Sequence, residues 1–109
     1  MNDREALLDE IRELAKCAEE RDQNAAVVEL LHVYLQRRPG DGFMWYTLGD
    51  ALRKLGLENE AERALNTALT ICPEKRPWIL AQLGMLYDSG GRRVEAEAAF
   101  AEACSDGEG

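Results

Sequence analysis

A pattern of small and large apolar residues returns at a fixed interval, and this repetition constrains the fold more than any other feature of the chain. Trp45-x2-Leu48-Gly49-x2-Leu52 is followed by Gly56, then by Ala61-x3-Leu65-x2-Ala68, then by Pro73. The set returns as Leu80-x2-Leu83-Gly84-x2-Tyr87, Gly91 and Ala96-x3-Phe100-x2-Ala103. Gly49 and Gly84 lie 35 positions apart, and Pro39 and Pro73 lie 34 apart. A period in this range marks stacked helix pairs, each too small to bury its apolar face alone.

Helical periodicity then places the elements. On a helix from about Gly42 to Leu55, Trp45, Leu48, Gly49 and Leu52 share one face, and Gly56 suits the left-handed residue that ends it. A second helix, from about Glu58 to Cys72, turns Ala61, Ala64, Leu65, Ala68 and Leu69 inward, and Pro73 disfavours its continuation. Small residues let the two backbones approach while Trp45 and Leu65 fill the remaining space. Enlarging Ala61 should cost roughly 1–3 kcal/mol, and truncating Trp45 roughly 3–5 kcal/mol.

The next pair opens at Pro77, tolerated in a first helical turn, and breaks at Gly90-Gly91. Leu80, Leu83, Gly84 and Tyr87 face Ala96, Ala99, Phe100 and Ala103, and the glycine-rich tail Ser105–Gly109 is expected to fray. Counting back from Pro73 to Pro39 predicts an earlier pair, about 8–41. Its apolar faces are Leu8, Ile11, Leu14, Ala15 and Ala18, then Val27, Leu30, Leu31, Tyr34 and Leu35. Its match is weaker, as Ala15 stands where a glycine recurs, Val27 where an alanine does and Tyr34 where a small residue does. Terminal repeats commonly depart from the pattern because one face meets solvent.

The combined Trp-x2-Leu-Gly, Ala-x3-Leu/Phe-x2-Ala and Pro pattern resembles that of the tetratricopeptide repeat (TPR) family. The resemblance implies an all-α, right-handed superhelical stack of three helix–turn–helix repeats with six helices. It would form one domain over 1–109, with repeats at about 8–41, 42–75 and 77–109. It also implies a protein-interaction module rather than an enzyme. RNA-reading pentatricopeptide repeats have a similar period, but the net charge of −8 disfavours them. That charge also argues against phosphate-backbone binding and docking on anionic membranes.

In proteins of this family the first helices of successive repeats line a concave groove that holds a peptide or helix. The residues reach the same surface independently. Opposite Trp45 lie Phe43, Tyr46, Thr47, Asp50, Arg53 and Lys54; the third repeat offers Trp78, Ala81, Gln82, Met85, Asp88 and Ser89, and the first offers Asp9, Arg12, Lys16, Glu19 and Glu20. Phe43, Tyr46, Trp78 and Met85 form an apolar strip flanked by Arg12, Lys16, Arg53 and Lys54, which suits a ligand with apolar anchors and acidic flanks, although Asp9, Glu19, Glu20, Asp50 and Asp88 share the face and weaken its basic component. The competing reading is that these aromatic residues close seams between repeats. TPR co-chaperones that clamp a C-terminal carboxylate place lysine, asparagine and arginine where this chain has Arg12, Lys16, Thr47, Trp78 and Gln82. Only Arg12 keeps a compatible charge, so a carboxylate clamp is not expected.

Little in the chain supports catalysis. His32 is the single histidine, the three cysteines form no CxxC pair, and the glycine-containing turns match no phosphate loop. No cofactor or metal is expected, and the acidic N-terminus without a long apolar stretch suits a cytoplasmic protein. The alternative to a groove-binding module is an assembly subunit that self-associates, weakly, through its last helix. There Val94, Ala98, Ala101 and Cys104 lie off the packed face.

Overall fold

The computed structural model describes the backbone of residues 3–108 and the side chains of residues 3–105. Among these residues there are six α-helices: α1 Asp3–Glu20, α2 Asn24–Arg37, α3 Gly42–Lys54, α4 Glu58–Ile71, α5 Arg76–Ser89 and α6 Arg93–Glu108. A 3₁₀ turn, Pro73–Lys75, leads into α5, and Pro77 occupies its first turn. The helix expected to fray after Cys104 runs on to Glu108, and Gly109 lies outside the described residues.

Each helix packs on its neighbours in chain order, as pairs α1–α2, α3–α4 and α5–α6. The first helices also touch in succession, α1 on α3 and α3 on α5, whereas among the described residues α2, α4 and α6 make no such contacts with one another. Helices that touch on one side and splay on the other curve the stack. The inner, concave side therefore belongs to α1, α3 and α5.

The turns inside the pairs are built alike. Asp22, Gly56 and Gly91 each take a positive φ, of 58°, 81° and 78°. In each turn the left-handed residue's N–H bonds the carbonyl three back, and the next N–H reaches five back (Gln23 to Ala18, Leu57 to Leu52, Arg92 to Tyr87). This satisfies helix-end carbonyls that would otherwise lack partners. The first pair thus repeats the others in backbone geometry although its residues differ.

Close approach explains the recurrent glycines. A Cβ at Gly49 would meet Leu65 Cγ at 2.6 Å, and one at Gly84 would meet Phe100 Cε1 at 2.6 Å. At the corresponding place in the first pair Ala15 is buried, and its Cβ is accommodated.

Three expectations about packing change. Leu14, placed on the buried face of α1, is 57% exposed; Thr47, placed on a solvated face, is only 6% exposed and donates its hydroxyl to the Phe43 carbonyl. Trp45 is half-buried with its indole N–H on the Pro39 carbonyl, so its truncation should cost less than a closed cavity would. Met44, Ala51, Ile79 and Leu86 are buried although they lie off the recurrent face. Central first helices are covered both by their own partner and by the adjoining repeat, so they bury more than one stripe.

Candidate functional site

The concave side carries two adjoining hollows that share Phe43 and Tyr46. One, of about 210 Å³, is lined by Phe43, Tyr46, Lys75 and Trp78. The other, of about 350 Å³, is lined by Lys16, Glu19, Glu20, Phe43, Tyr46, Thr47, Asp50 and Gln82. Helices α1, α3 and α5 thus each supply a wall.

The aromatic residues are surface groups in a recess. Trp78 is 59% and Phe43 43% exposed, while Tyr46 is half-buried. Phe43 and Tyr46 sit with ring centroids 6.1 Å apart and tilted by 37°. Lys75 holds its ammonium 5.1 Å from the Trp78 ring centroid, a cation–π arrangement at the edge of the same hollow. Lys75 was not anticipated because it lies in the 3₁₀ turn, outside any helical face. Its place three residues before Trp78 is the signal that could have found it.

A polar floor fixes these walls. Arg53 Nε donates to Gln82 Oε1 at 3.0 Å, and Gln82 Nε2 donates to the Tyr46 hydroxyl at 3.4 Å, tying α3 to α5. Arg53 also bonds Asp50 at 2.8 Å, and Lys54 reaches Asp22 at 3.1 Å and Asp50 at 3.4 Å. Those bonds to Asp22 and Asp50 raise the Lys54 ammonium above its ordinary value and keep it charged.

The residues named from sequence therefore divide. Lys16, Phe43, Tyr46, Thr47, Asp50, Trp78 and Gln82 come together around the hollows. Arg12, Arg53, Lys54 and Met85 line neither. Met85 is exposed further along α5, and Arg12 is engaged at the seam between the first two repeats. There Asp41 accepts from Arg12 Nε at 2.9 Å, from the Tyr34 hydroxyl at 2.6 Å and from the Met44 N–H at 3.3 Å, capping α3. Burial alone would raise the Asp41 carboxyl, but the bonds from Arg12, Tyr34 and Met44 outweigh it and hold it below the ordinary range.

The next seam uses the same chemistry with other residues. The Tyr87 hydroxyl donates to Glu62 at 2.8 Å and Arg92 joins Glu62 at 3.2 Å. Burial and the Glu62 bond push the Tyr87 phenol up to about 12. Cys72 donates its thiol to Glu74, and burial followed by that bond pushes the thiol up, away from reactive thiolate. Cys17, Cys104 and His32 are exposed. Among the described residues no His, Cys, Asp and Glu are grouped to hold a metal, and no helix is long and apolar enough to cross a membrane.

A family model for the tetratricopeptide repeat matches residues 44–75. Curated protein sequences give no match. Among solved structures, MamA MSR-1 matches with a TM-score of 0.88 and 23% identity, over 93% of this chain and 57% of that one. MamA AMB-1 matches with a TM-score of 0.85 and 24% identity, over 94% of this chain and 55% of that one. The chain spans little more than half the length of these structures. The central segment 44–75 thus matches the tetratricopeptide repeat, and the six helices packed in pairs give the chain the fold of these solved structures.

Proposed function

We propose that the chain is a protein-interaction module, one domain with repeats at about 8–41, 42–75 and 77–109, that binds a peptide or helix of a partner protein along α1, α3 and α5. The observation that carries this reading is the recess formed by Phe43, Tyr46 and Trp78. Large aromatic side chains left exposed cost solvation unless a partner covers them, and anchors of this type dominate protein interfaces. The Tyr46 hydroxyl is tied to Gln82, which Arg53 holds in turn, so this ring needs little ordering on binding. The reading needs no cofactor, nucleic acid or membrane.

A second reading has one observation in its favour. On α6, Val94 is 81% exposed and Ala98, Ala101 and Cys104 are also open, a surface on which another helix, including one from a second copy, could pack. Glu95, Glu97 and Glu102 interrupt this surface, so the groove is the stronger site.

The test is affinity capture from source-cell lysate with wild type, Trp78→Ala and Tyr46→Ala/Trp78→Ala, with circular dichroism on each. The groove reading expects a partner held by wild type and lost by folded Trp78→Ala. Equal capture by both would overturn it. Concentration-dependent mass in solution, abolished by Val94→Glu, is the outcome that favours α6 instead.

A further inference from the structure

The groove becomes polar once its internal ion pairs are taken into account. Arg12 is neutralised by Asp41, and Arg53 and Lys54 by Asp50 and Asp22, so the basic flank expected from sequence is largely satisfied within the molecule. Lys16 is paired with Glu13 at 3.6 Å. Glu19 and Glu20 differ. Both line the larger hollow beside Phe43 and Tyr46, and among the described residues neither carboxylate has a hydrogen-bond or ion-pair partner. They also occupy the last turn of α1, which contains no basic residue. The partial negative charge of a helix C-terminus adds to theirs and favours a cation there. Arg21 follows α1 but does not line the hollow.

At the other end of the groove, Lys75 stands over Trp78. The path thus runs from two free carboxylates, across Phe43 and Tyr46, to an apolar pocket with a cationic rim. We infer that the partner segment is basic as well as apolar. A large apolar side chain enters the pocket of Phe43, Tyr46 and Trp78, and a nearby lysine or arginine meets Glu19 and Glu20. Lys75 repels a second cation at its own end and so favours one direction of the segment. This inference rests on the groove being the binding site. It reverses the acidic flanks that the count of basic residues had suggested.

The probe is a random dodecapeptide library displayed on phage and selected on the full chain, with Trp78→Ala selected in parallel. The leading Trp78-dependent peptide is then synthesised and titrated by fluorescence anisotropy against wild type and Glu19→Lys/Glu20→Lys. Both altered carboxylates are exposed, and circular dichroism checks the fold. The expected peptides carry an aromatic or long aliphatic residue with a lysine or arginine nearby. Affinity should fall at least about tenfold on the charge-reversed chain and recover when the basic residue of the peptide is changed to glutamate. Trp78-dependent peptides that lack a basic residue, or that bind the reversed chain equally well, overturn the polarity and leave the groove standing. Failure to enrich any Trp78-dependent peptide overturns the groove itself.

Discussion

Asp22 occupies a conformation that Gly56 and Gly91 occupy in the other repeats, and its φ of 58° puts a Cβ where L-residues are disfavoured. Replacing it with glycine removes a penalty of about 1–2 kcal/mol. Against this stand the lost ion pair to Lys54, exposed at 3.1 Å and worth about 0–1 kcal/mol, and the greater chain entropy of glycine, about 0.5–1 kcal/mol. Asp22→Gly should therefore fall between a loss of about 1 kcal/mol and a gain of about 1.5 kcal/mol in urea unfolding, whereas Gly56→Ala should destabilise by about 1–2 kcal/mol. A loss for Asp22→Gly well beyond about 1 kcal/mol would contradict the shared turn geometry. Asp41 offers a pH test at the same scale. Asp41→Ala should cost about 1–2 kcal/mol at neutral pH through the lost cap and ion pair. Because the folded-state carboxyl lies below its ordinary 3.8, this stabilisation is present above that value and lost as pH falls through the lower one. The gap between variant and wild type should narrow below about pH 4, as followed by acid-dependent urea midpoints.

Between elements, the two recurrent glycines separate by what they press against. Leu65, opposite Gly49, is fully buried, while Phe100, opposite Gly84, is 39% exposed and can swing outward. Gly49→Ala should lose about 1–3 kcal/mol by overpacking. Gly84→Ala should lie closer to neutral, since the gain of about 1 kcal/mol in helix propensity offsets a movable contact. Thermal denaturation of the two variants checks the order, and equal losses would contradict it. This scale also marks how far the sequence could be read. The second and third helix pairs were legible because Gly49 with Leu65 and Gly84 with Phe100 keep both spacing and size contrast. The first pair was less so, as Ala15 substitutes for the glycine and Asp22 reaches a left-handed turn without one. Met44, Ala51, Ile79 and Leu86 escaped a one-face reading because central helices are packed from two sides. The charge of the groove was legible in part: the acidic residues on its face were visible, and Arg53 and Lys54 pair locally with Asp50. The partners that Arg12 and Lys54 find 29 and 32 residues away are not shown by any local spacing.

In the whole molecule, inner helices that touch and outer helices that splay generate the curved surface on which Phe43, Tyr46 and Trp78 meet. The proposed function depends on that curvature rather than on any one repeat. Trp78→Ala should leave the unfolding midpoint nearly unchanged because the ring is mostly exposed, yet weaken a groove ligand by about 2 kcal/mol or more if it acts as an anchor. Seam variants such as Asp41→Ala should instead lower stability first. The most direct test of the groove is amide chemical-shift mapping of the isotope-labelled chain titrated with the selected peptide. The account predicts that the largest shifts cluster at Lys16–Glu20, Phe43–Asp50 and Lys75–Gln82, while α6 stays silent. Shifts concentrated on Val94–Cys104, with the concave side unperturbed, would contradict it.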